Sequence, residues 1–253
     1  MHEMHSSQAT DISFAAVISA AGSSSRMGGV KKEYLPLAPG GMTVLGAVVA
    51  AFASCPGIGT IAVAVRPGDE NGEAASKIPA EILYGDKHII FVPGGPTRRV
   101  SVNNALSFLE SCHPTYVLIH DGARPWVKRD LIERCMEATI RYGAVIPALP
   151  LTETPKELHI LGSCSELDPK EPAFIERHLR REGICTAQTP QGFKFPEILA
   201  AHEKAAEREE KECIEYTDDA EVWGEFVGKV AVIAGDPENR KITYMEDLSR
   251  RNE

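Results

Sequence analysis

The stretch AAGSSSRMGGVKKEYLPL, from Ala20 to Leu37, places a glycine, three serines and three basic residues directly after a short apolar run. Gly22 and the serines let the backbone curl so that several N–H groups point the same way, which favours binding of an anion. Arg26, Lys31 and Lys32 add three positive charges to this turn. Amides and cations together at a strand end predict a site for a polyphosphate. The alternative for this stretch alone is a surface loop whose basic residues are only solvated.

A second polar motif, HDGARP from His120 to Pro125, follows the apolar run YVLI. Asp121 therefore stands at a strand end, where a carboxylate can bind Mg²⁺ directly or through water, or accept a hydrogen bond from a sugar hydroxyl. The alternative is an ordinary turn or helix-capping aspartate. Arg124 is either a cation of the site or the partner of Asp121, and we favour the pairing. His120 is expected to pack inside the sheet rather than to bind a ligand.

Glycines also end a third apolar run, in PGGPTRRVSVNNAL from Pro93 to Leu106. Backbone groups at the two glycines, together with the Ser101 hydroxyl, are suited to hydrogen-bond the edge of a base. Arg98 and Arg99 are weaker candidates, because basic residues at a helix start are often only solvent-exposed. A further cation, Lys241, follows the last apolar run and is either part of the same site or a surface lysine.

Hydrophobic periodicity indicates the elements that position these motifs. Six short runs are almost continuously apolar, as in strands buried on both faces of a sheet: FAAVISA, TIAVAV, HIIFV, YVLIH, AVIPAL and KVAVIAG. Between them, amphipathic helices are predicted for MTVLGAVVAAFASC, RRVSVNNALSFLES and KRDLIERCMEATIRYG. Strands and helices in alternation predict an α/β fold with a doubly wound, mostly parallel sheet. Ligands of such sheets bind beyond the carboxyl ends of the strands, where these motifs lie.

The alternation breaks between about residues 151 and 191, where the sequence is more charged and no crossover helix is evident. We interpret this segment as a β-arm that leaves the main sheet and returns at TPQGF. The following segment, FPEILAAHEKAAEREEKE, predicts an exposed helix whose charges form a solvated face. Because no internal repeat or linker is visible, the expected organisation is a single domain over residues 14–248, with the arm at 151–191 and a polar tail at 1–13.

Composition limits the class of protein. At 253 residues, with 43% hydrophobic and 25% charged residues, the chain is long enough to bury a sizeable core. Its net charge of -9 disfavours non-specific binding to nucleic acid or to an anionic membrane. No apolar run approaches the roughly 20 residues of a membrane span, and no signal peptide is visible, which favours a cytoplasmic protein. The six cysteines include no C-x-x-C pair, which argues against a structural zinc site.

The motifs, taken in order, resemble those of the 2-C-methyl-D-erythritol 4-phosphate cytidylyltransferase family. The resemblance covers roughly Phe14 to Leu248 and includes AAGSSSRMGGVKKEYLPL, GGPTRRVSV, HDGARP, TETPKE, AQTPQGF, YTDDA and NRKITYMEDL. It implies a Rossmann-like nucleotidyltransferase fold whose β-arm joins two copies in a homodimer. It also implies transfer of CMP from CTP to methylerythritol phosphate, with release of pyrophosphate and with Mg²⁺ as the metal. No covalent intermediate is needed in this reaction.

The resemblance also implies a role for each matching residue. The matching catalytic cations are Arg26, Lys32 and Lys241. Those expected to bind CTP are Ala20, Ala21, Gly22, Gly94, Ser101 and Asp121. Those expected to bind the methylerythritol phosphate are Asp121, Thr154, Arg181, Thr189 and Thr217. Asp121 is also the candidate metal ligand, and Arg181 would reach the partner subunit's site from the arm.

The sequence departs from the family pattern at several positions. Val100 stands where many members have an aspartate, and Pro96 replaces a residue that is commonly acidic, which puts the contacts to the base in doubt. Cys185 stands where an aromatic residue is common, and residues 162–178 of the arm are unusual. The substrate end of the site is therefore less well supported than the triphosphate end.

Three other functions compete with this assignment. A ribitol 5-phosphate cytidylyltransferase has similar motifs, but the DGARP form, with Ala123, favours methylerythritol phosphate as the acceptor. A nucleotide-binding regulator without turnover is disfavoured because the four residues expected at the reacting phosphate are intact: Arg26, Lys32, Asp121 and Lys241. A dinucleotide oxidoreductase is disfavoured because no G-x-G-x-x-G follows the first strand, and G-x-x-x-x-G-K-[ST] is absent there too.

Overall fold

A computed structural model describes residues 12–24, 28–159, 167 and 172–249 of the chain. The strands are β1 (Phe14–Ser19), β2 (Ile58–Val65), β3 (His88–Pro93), β4 (Tyr116–Asp121), β5 (Ala144–Pro150), β6 (Lys156–His159), β7 (Phe174–His178), β8 (Cys185–Ala187), β9 (Gln191–Lys194) and β10 (Ala231–Ala234). The α-helices are α1 (Val44–Ala53), α2 (Ala80–Leu83), α3 (Arg98–Leu109), α4 (Arg129–Tyr142), α5 (Phe195–Glu212), α6 (Asp219–Phe226) and α7 (Glu246–Ser249). The predicted α/β class is confirmed. Within these residues, no helix has the length and apolar character required to cross a membrane.

Eight of the strands form one sheet in the order β10-β5-β9-β4-β1-β2-β3, with β8 also paired to β5. β1 lies between β2 and β4 and runs parallel to both, and β2–β3 and β5–β10 are parallel pairs. β9 is antiparallel to β4 and β5, between which it is inserted, and β8 is antiparallel to β5. The mostly parallel sheet is therefore confirmed. Its antiparallel strands are β8 and β9, and because β8 already pairs with β5, the chain rejoins the main sheet before TPQGF, where the return was expected.

Two hydrophobic cores lie on opposite faces of the sheet, and β1 contributes to both. Ala16 and Ile18 belong to the core that includes Phe52 of α1. Ala15 and Val17 belong to the core on the α3 and α5 side. Successive residues of a strand point to opposite faces, so the unbroken apolar run of β1 is what burial on both faces requires.

Two helices near the carboxyl ends of the strands begin at side-chain caps. The Thr97 hydroxyl accepts a hydrogen bond from the Val100 N–H at the start of α3, at 3.2 Å. The Asp218 carboxylate accepts one from the Glu221 N–H at the start of α6, at 2.9 Å. Such caps stabilise a helix by about 1 kcal/mol. They fix the first turns of α3 and α6, which supply residues to the site described below.

The segment predicted as a β-arm forms a two-stranded antiparallel sheet, β6 with β7, that is separate from the main sheet. Phe174 on β7 is 72% exposed, which is unusual for so large an apolar side chain. The chain then returns through β8 and β9. Of the unusual residues 162–178, the structure describes Leu167 and residues 172–178. That the arm joins two copies stays a prediction.

Candidate active site

A cavity of about 680 Å³ lies beyond the carboxyl ends of β1 and β4. These strands pair in register, so that Ser19 at the end of β1 lies beside Asp121 at the end of β4. Ligands of open α/β sheets bind in such a crevice. The lining residues come from several loops: Ser19, Ala21, Gly22, Ser23, Ser24, Gly29, Lys32, Glu33, Arg66, Pro67, Gly95, Pro96, Thr97, Arg98, Ser101, Asp121, Ala123, Glu215 and Lys241.

Asp121 lies at the centre of a cluster of charges. Its Oδ1 is 3.3 Å from Nε of Arg98, and its Oδ2 is 3.3 Å from Nε of Arg124 and 3.0 Å from Nζ of Lys241. Burial alone would raise the pKa of this carboxyl, but Lys241, Arg98 and Arg124 outweigh burial and hold the pKa well below its ordinary value. Asp121 is therefore ionised at neutral pH. The pairing of Arg124 with Asp121 that the sequence favoured is observed.

Arg98, which the sequence made only a weaker candidate, lies inside the site. Its Nη2 is 2.8 Å from Oδ2 of Asp219, a carboxylate that is 1% exposed, while its Nε contacts Asp121. Burial lowers the pKa of the Arg98 guanidinium, but the two carboxylates outweigh burial and raise it overall. Arg98 is thus a fixed cation that links α3 to the start of α6.

Arg99, the next residue, is also buried rather than exposed. Its Nε is 2.5 Å from Oε2 of Glu209 on α5, and its Nη1 donates to the His202 carbonyl oxygen at 3.4 Å. Arg99 therefore ties α3 to α5 and supports the site from outside it. Glu209 belongs to the charged helix face that the sequence predicted to be solvated, and here it is partly buried against Arg99.

The two adjacent lysines of the first loop have different partners. Lys31 donates to Asp69 at 2.8 Å and to Glu73 at 3.2 Å, and it does not line the cavity. Lys32 lines the cavity and donates to the Ile242 carbonyl oxygen at 2.9 Å. The structure therefore gives Lys32, and not Lys31, access to a bound anion. The third predicted cation of this loop, Arg26, lies outside the described residues.

The predicted nucleotide-binding residues lie on neighbouring loops. Ala20 is buried, and Ala21 and Gly22 face the cavity. A Cβ atom at Gly94 would lie 2.2 Å from the Cβ of Ala21, so only glycine allows these two loops to approach so closely. Ser101 Oγ accepts from the Gly95 N–H at 3.0 Å and donates to the Thr97 carbonyl at 2.9 Å. These contacts hold the loop after β3 against the start of α3.

Glu33 and Arg66 line the cavity but were not singled out from the sequence, although Glu33 lies within the first motif. Glu33 is 4% exposed, and burial raises the pKa of its carboxyl although Lys32, Arg66 and Lys241 oppose that shift. Arg66 follows β2 and bonds to the first loop. Asp219 was likewise not singled out, although it belongs to the YTDDA motif.

A smaller cavity of about 160 Å³ adjoins the charge cluster. It is lined by Thr189 and Thr217, two of the predicted acceptor-binding residues, together with Arg98, Asp121, Arg124 and Lys241. The two cavities share Arg98, Asp121 and Lys241, which therefore lie between the place predicted for the nucleotide and the place predicted for the acceptor.

Thr189 connects Asp121 to His120 within the protein. Its Oγ1 accepts from the Asp121 N–H at 3.1 Å and lies 3.0 Å from Nδ1 of His120, whose Nε2 is 3.2 Å from the Arg124 carbonyl oxygen. Burial lowers the pKa of His120 to about 4. A neutral imidazole that accepts from Thr189 at Nδ1 and donates from Nε2 satisfies all of these contacts. His120 is buried in the sheet, as expected.

Thr154 and Arg181 do not reach the charge cluster of their own chain. Thr154 is exposed between β5 and β6. Arg181 donates to the Thr152 carbonyl oxygen at 2.9 Å and lines a separate cavity of about 570 Å³ with Cys185 and Val232. The structure thus keeps Thr154 and Arg181 away from the charge cluster, whereas Thr189, near the end of the predicted arm segment, reaches it.

Comparison with curated proteins finds relatives named bifunctional enzyme IspD/IspF. The protein of Brucella abortus is 36% identical over 211 residues, which are 83% of this chain and 49% of the relative. That of Rhodobacter capsulatus is 38% identical over 237 residues, which are 93% of this chain and 54% of the relative. The chain therefore spans about half the length of the curated relatives it matches.

Solved structures resemble the fold over nearly its whole length. The 4-diphosphocytidyl-2C-methyl-D-erythritol synthase of Anaerococcus prevotii is 27% identical, with a TM-score of 0.74 and 94% of each chain covered. The 2-C-methyl-D-erythritol 4-phosphate cytidylyltransferase of Thermus thermophilus is 31% identical, with a TM-score of 0.67 and 94% of this chain and 96% of the other covered. The family model IspD, 2-C-methyl-D-erythritol 4-phosphate cytidylyltransferase, matches residues 14–252. The fold and the motifs agree with this match, and the chain belongs to the 2-C-methyl-D-erythritol 4-phosphate cytidylyltransferase family.

Proposed function

We propose that this chain transfers the CMP group of CTP to 2-C-methyl-D-erythritol 4-phosphate and releases pyrophosphate. The observation that carries the proposal is the charge cluster at the junction of the two cavities, where Arg98, Asp121 and Lys241 lie between the larger and the smaller cavity. Family membership supports the identity of both substrates.

The reaction requires two anions to meet, and the cations of the site serve this need. A phosphate oxygen of the acceptor attacks the α-phosphorus of CTP and forms a new P–O bond. The bond from the α-phosphorus to the oxygen that bridges to the β-phosphorus breaks, and its electron pair leaves with pyrophosphate. Lys32 and Lys241 are placed to offset the negative charge that gathers on the α-phosphate in the transition state, and Arg26 is proposed to join them.

At the nucleotide end, the loop of Ala20, Ala21 and Gly22 is proposed to bind the phosphates. Gly94 and Ser101 are proposed to lie beside the cytosine. Their support is the close contact of Gly94 with Ala21, which joins the phosphate loop to the loop after β3. Of the two departures on the base side, Pro96 lies in the loop before α3 and lines the cavity, and Val100 lies in the first turn of α3.

The divalent ion expected in the reaction is proposed to bind through Asp121. Mg²⁺ in nucleotide sites typically takes one or two carboxylates together with substrate phosphates, and Asp121 supplies one ionised carboxylate at the cavity. Within the described residues, no cluster of three or more acidic, histidine or cysteine side chains offers a complete protein cage. The donor set therefore fits an ion shared with the triphosphate. Such an ion would offset triphosphate charge and assist departure of pyrophosphate.

At the acceptor end, Thr189 and Thr217 are proposed to bind the methylerythritol phosphate in the smaller cavity together with Asp121. Thr154 and Arg181 are proposed to complete the site from a second copy of the chain, because the arm holds them away from their own charge cluster. The exposed Phe174 on β7 is consistent with an arm that packs against a partner. The active form would then be a homodimer.

Pyrophosphate release with CTP and Mg²⁺ tests the assignment, with methylerythritol 4-phosphate and ribitol 5-phosphate compared as acceptors. We expect rapid release with the first acceptor, little with the second, and loss of release when EDTA removes Mg²⁺. The Lys32→Ala variant, prepared in the same way, controls for pyrophosphate released by contaminating enzymes. A preference for ribitol 5-phosphate would move the chain to the alternative cytidylyltransferase function, and CTP binding without release with either acceptor would favour the regulator.

Mixing two variants of low activity tests the shared site. In the proposed homodimer, each site takes Lys32 from one chain and Arg181 from the other, so Lys32→Ala and Arg181→Ala each damage every site when present alone. A mixed dimer would then hold one site with both wild-type residues, whereas each variant alone holds none. We expect activity at low acceptor concentration to rise well above that of either variant after the two are unfolded and refolded together. Simple averaging of the two activities would show that Arg181 acts in its own chain or not at all.

A further inference from the structure

Arg66 lies outside the sequence motifs and bonds to two points of the phosphate loop, which we define as residues 20–29. The residue directly follows β2, beside the strand that leads into this loop. Its Nε donates to the Gly22 carbonyl oxygen at 3.0 Å, and its Nη1 donates to that of Gly29 at 3.5 Å. A single planar guanidinium thus joins the point where the loop leaves β1 to a point seven residues later.

The loop has a conformation that its own residues do not favour. Ser24 has a φ of 51°, in the left-handed region that residues with a side chain rarely adopt. The Gly29 N–H donates to the Ser24 carbonyl oxygen at 3.1 Å and closes the loop at this residue. Strain of this kind persists only where surrounding contacts impose it, and it is common at ligand sites. The two bonds from Arg66 hold the loop at Gly22 and Gly29, on either side of Ser24.

Two buried polar atoms next to the cavity lack hydrogen-bond partners in the described part of the chain: Arg66 Nη2 and Ser24 Oγ. Native proteins rarely leave such atoms unsatisfied, and a bound ligand is one common reason when they do. Both hydrogen bonds of Arg66 go to carbonyl oxygens. By contrast, Arg98, Arg124 and Lys241 all pair with Asp121. Arg66 forms no ion pair within the described residues, although its charge also acts on the Glu33 carboxyl, so its guanidinium can still face an anion bound on the loop.

We propose that Arg66 is the positioning residue of the phosphate loop and that it makes the site selective for a nucleoside triphosphate over a monophosphate. Because the carbonyl of Gly22 and the N–H of Ser23 belong to one planar peptide and point in opposite directions, holding the carbonyl sets the direction of that amide. Arg66 thereby orients loop amides toward the phosphates and adds its positive charge beside them. This inference rests on the proposed function, since it assumes that CTP is the nucleotide.

Binding of CTP and of CMP to Arg66→Gln and Arg66→Lys tests the inference. The Gln variant removes the charge and one of the two loop contacts, so we expect CTP affinity to fall about tenfold to a hundredfold. CMP affinity should change less than about threefold, because CMP lacks the terminal phosphates. Arg66→Lys keeps the charge and should lie between wild type and Arg66→Gln. Arg129→Gln, on an exposed ion pair with Glu133, is the control for the loss of an arginine.

Steady-state turnover gives a second test, because a purely structural role of Arg66 would affect KM for both substrates and not KM for CTP alone. KM for CTP should rise in Arg66→Gln while KM for the acceptor stays at its wild-type value. Equal weakening of CTP and CMP, or unchanged CTP affinity in a variant with a wild-type melting temperature, would overturn the role of Arg66. If the wild-type protein itself binds no CTP, the proposed function fails and this inference falls with it. If the wild-type protein turns over CTP and Arg66→Gln has the same CTP affinity and KM, the role of Arg66 is rejected and the proposed function stands.

Discussion

Replacing Lys32 with alanine is expected to lower kcat by about 10² to 10³, the usual effect of removing one fixed group that stabilises charge in a transition state. Lys32 lines the cavity and is held by the Ile242 carbonyl, on the same loop as Lys241. Its ammonium group is therefore in place before the reaction begins. The measurement is kcat with CTP and the acceptor both saturating.

Lys31→Ala is the matched control, since it removes the same side chain from the neighbouring position. Lys31 pairs with Asp69 and Glu73 instead of facing the cavity, so kcat should stay within about threefold of the wild-type value. A reversed order, with Lys31→Ala the slower enzyme, would mean that the bound state rearranges the loop and that Lys32 does not face the reacting phosphate.

Asp121→Asn is expected to destabilise the fold and to reduce turnover together. The change keeps the shape of the side chain but leaves Arg98, Arg124 and Lys241 facing one another without their shared anion. Removing one partner of a buried ion pair typically costs about 3–5 kcal/mol, so the free energy of unfolding in urea should fall by about that amount. We expect kcat to fall about a hundredfold, because Lys241 loses its carboxylate partner and Arg98 keeps only Asp219.

The pH dependence of this loss provides the sharper check. The folded protein holds the pKa of Asp121 well below its ordinary value of about 4, so its stabilising effect is fully present above that value and disappears as the pH falls further. The stability difference between wild type and Asp121→Asn should therefore be full at pH 7 and smaller near pH 3. An exposed pair, Asp130 with Arg134, supplies the control variant Asp130→Asn, for which little change is expected at either pH. A loss that is the same at both pH values would argue against a charge effect.

Local patterns were sufficient to predict six strands of the main sheet, four of the helices and the end of the sheet at which the candidate site lies, but they did not indicate α2, α6 or α7. β1 and β4 are buried on both faces, as their continuous apolar runs predicted, and Asp121 follows its run directly. The equally apolar runs of β3 and β10 were expected to be buried on both faces too, but these strands form the two edges of the sheet and are partly exposed. Lys31 and Lys32, however, are adjacent, and only the position of Asp69 after β2 decides which of them faces the cavity. No local signal contains that information.

Arg98 shows the same limit at longer range. A basic residue at a helix start is usually solvated, but here two carboxylates, Asp121 and Asp219, approach it from positions 23 and 121 residues away in sequence. Arg66 gave no signal at all, because its partners are backbone carbonyl oxygens, which every residue carries. Residues that act through such contacts are found only once the chain is folded.

The insertion of β9 between β4 and β5 has a consequence for the order in which the protein is assembled during synthesis. Within the described residues, β1 to β4 pair only with one another and with β9, so they can associate as soon as they have emerged. In the same part of the chain, β5 pairs only with β8, β9 and β10, all of which are synthesised after it. During synthesis, β5 and the exposed arm therefore cannot join the sheet beside β4 until β9, which ends at residue 194, has been made. During this interval the growing chain presents an unpaired strand and needs protection from association with its neighbours.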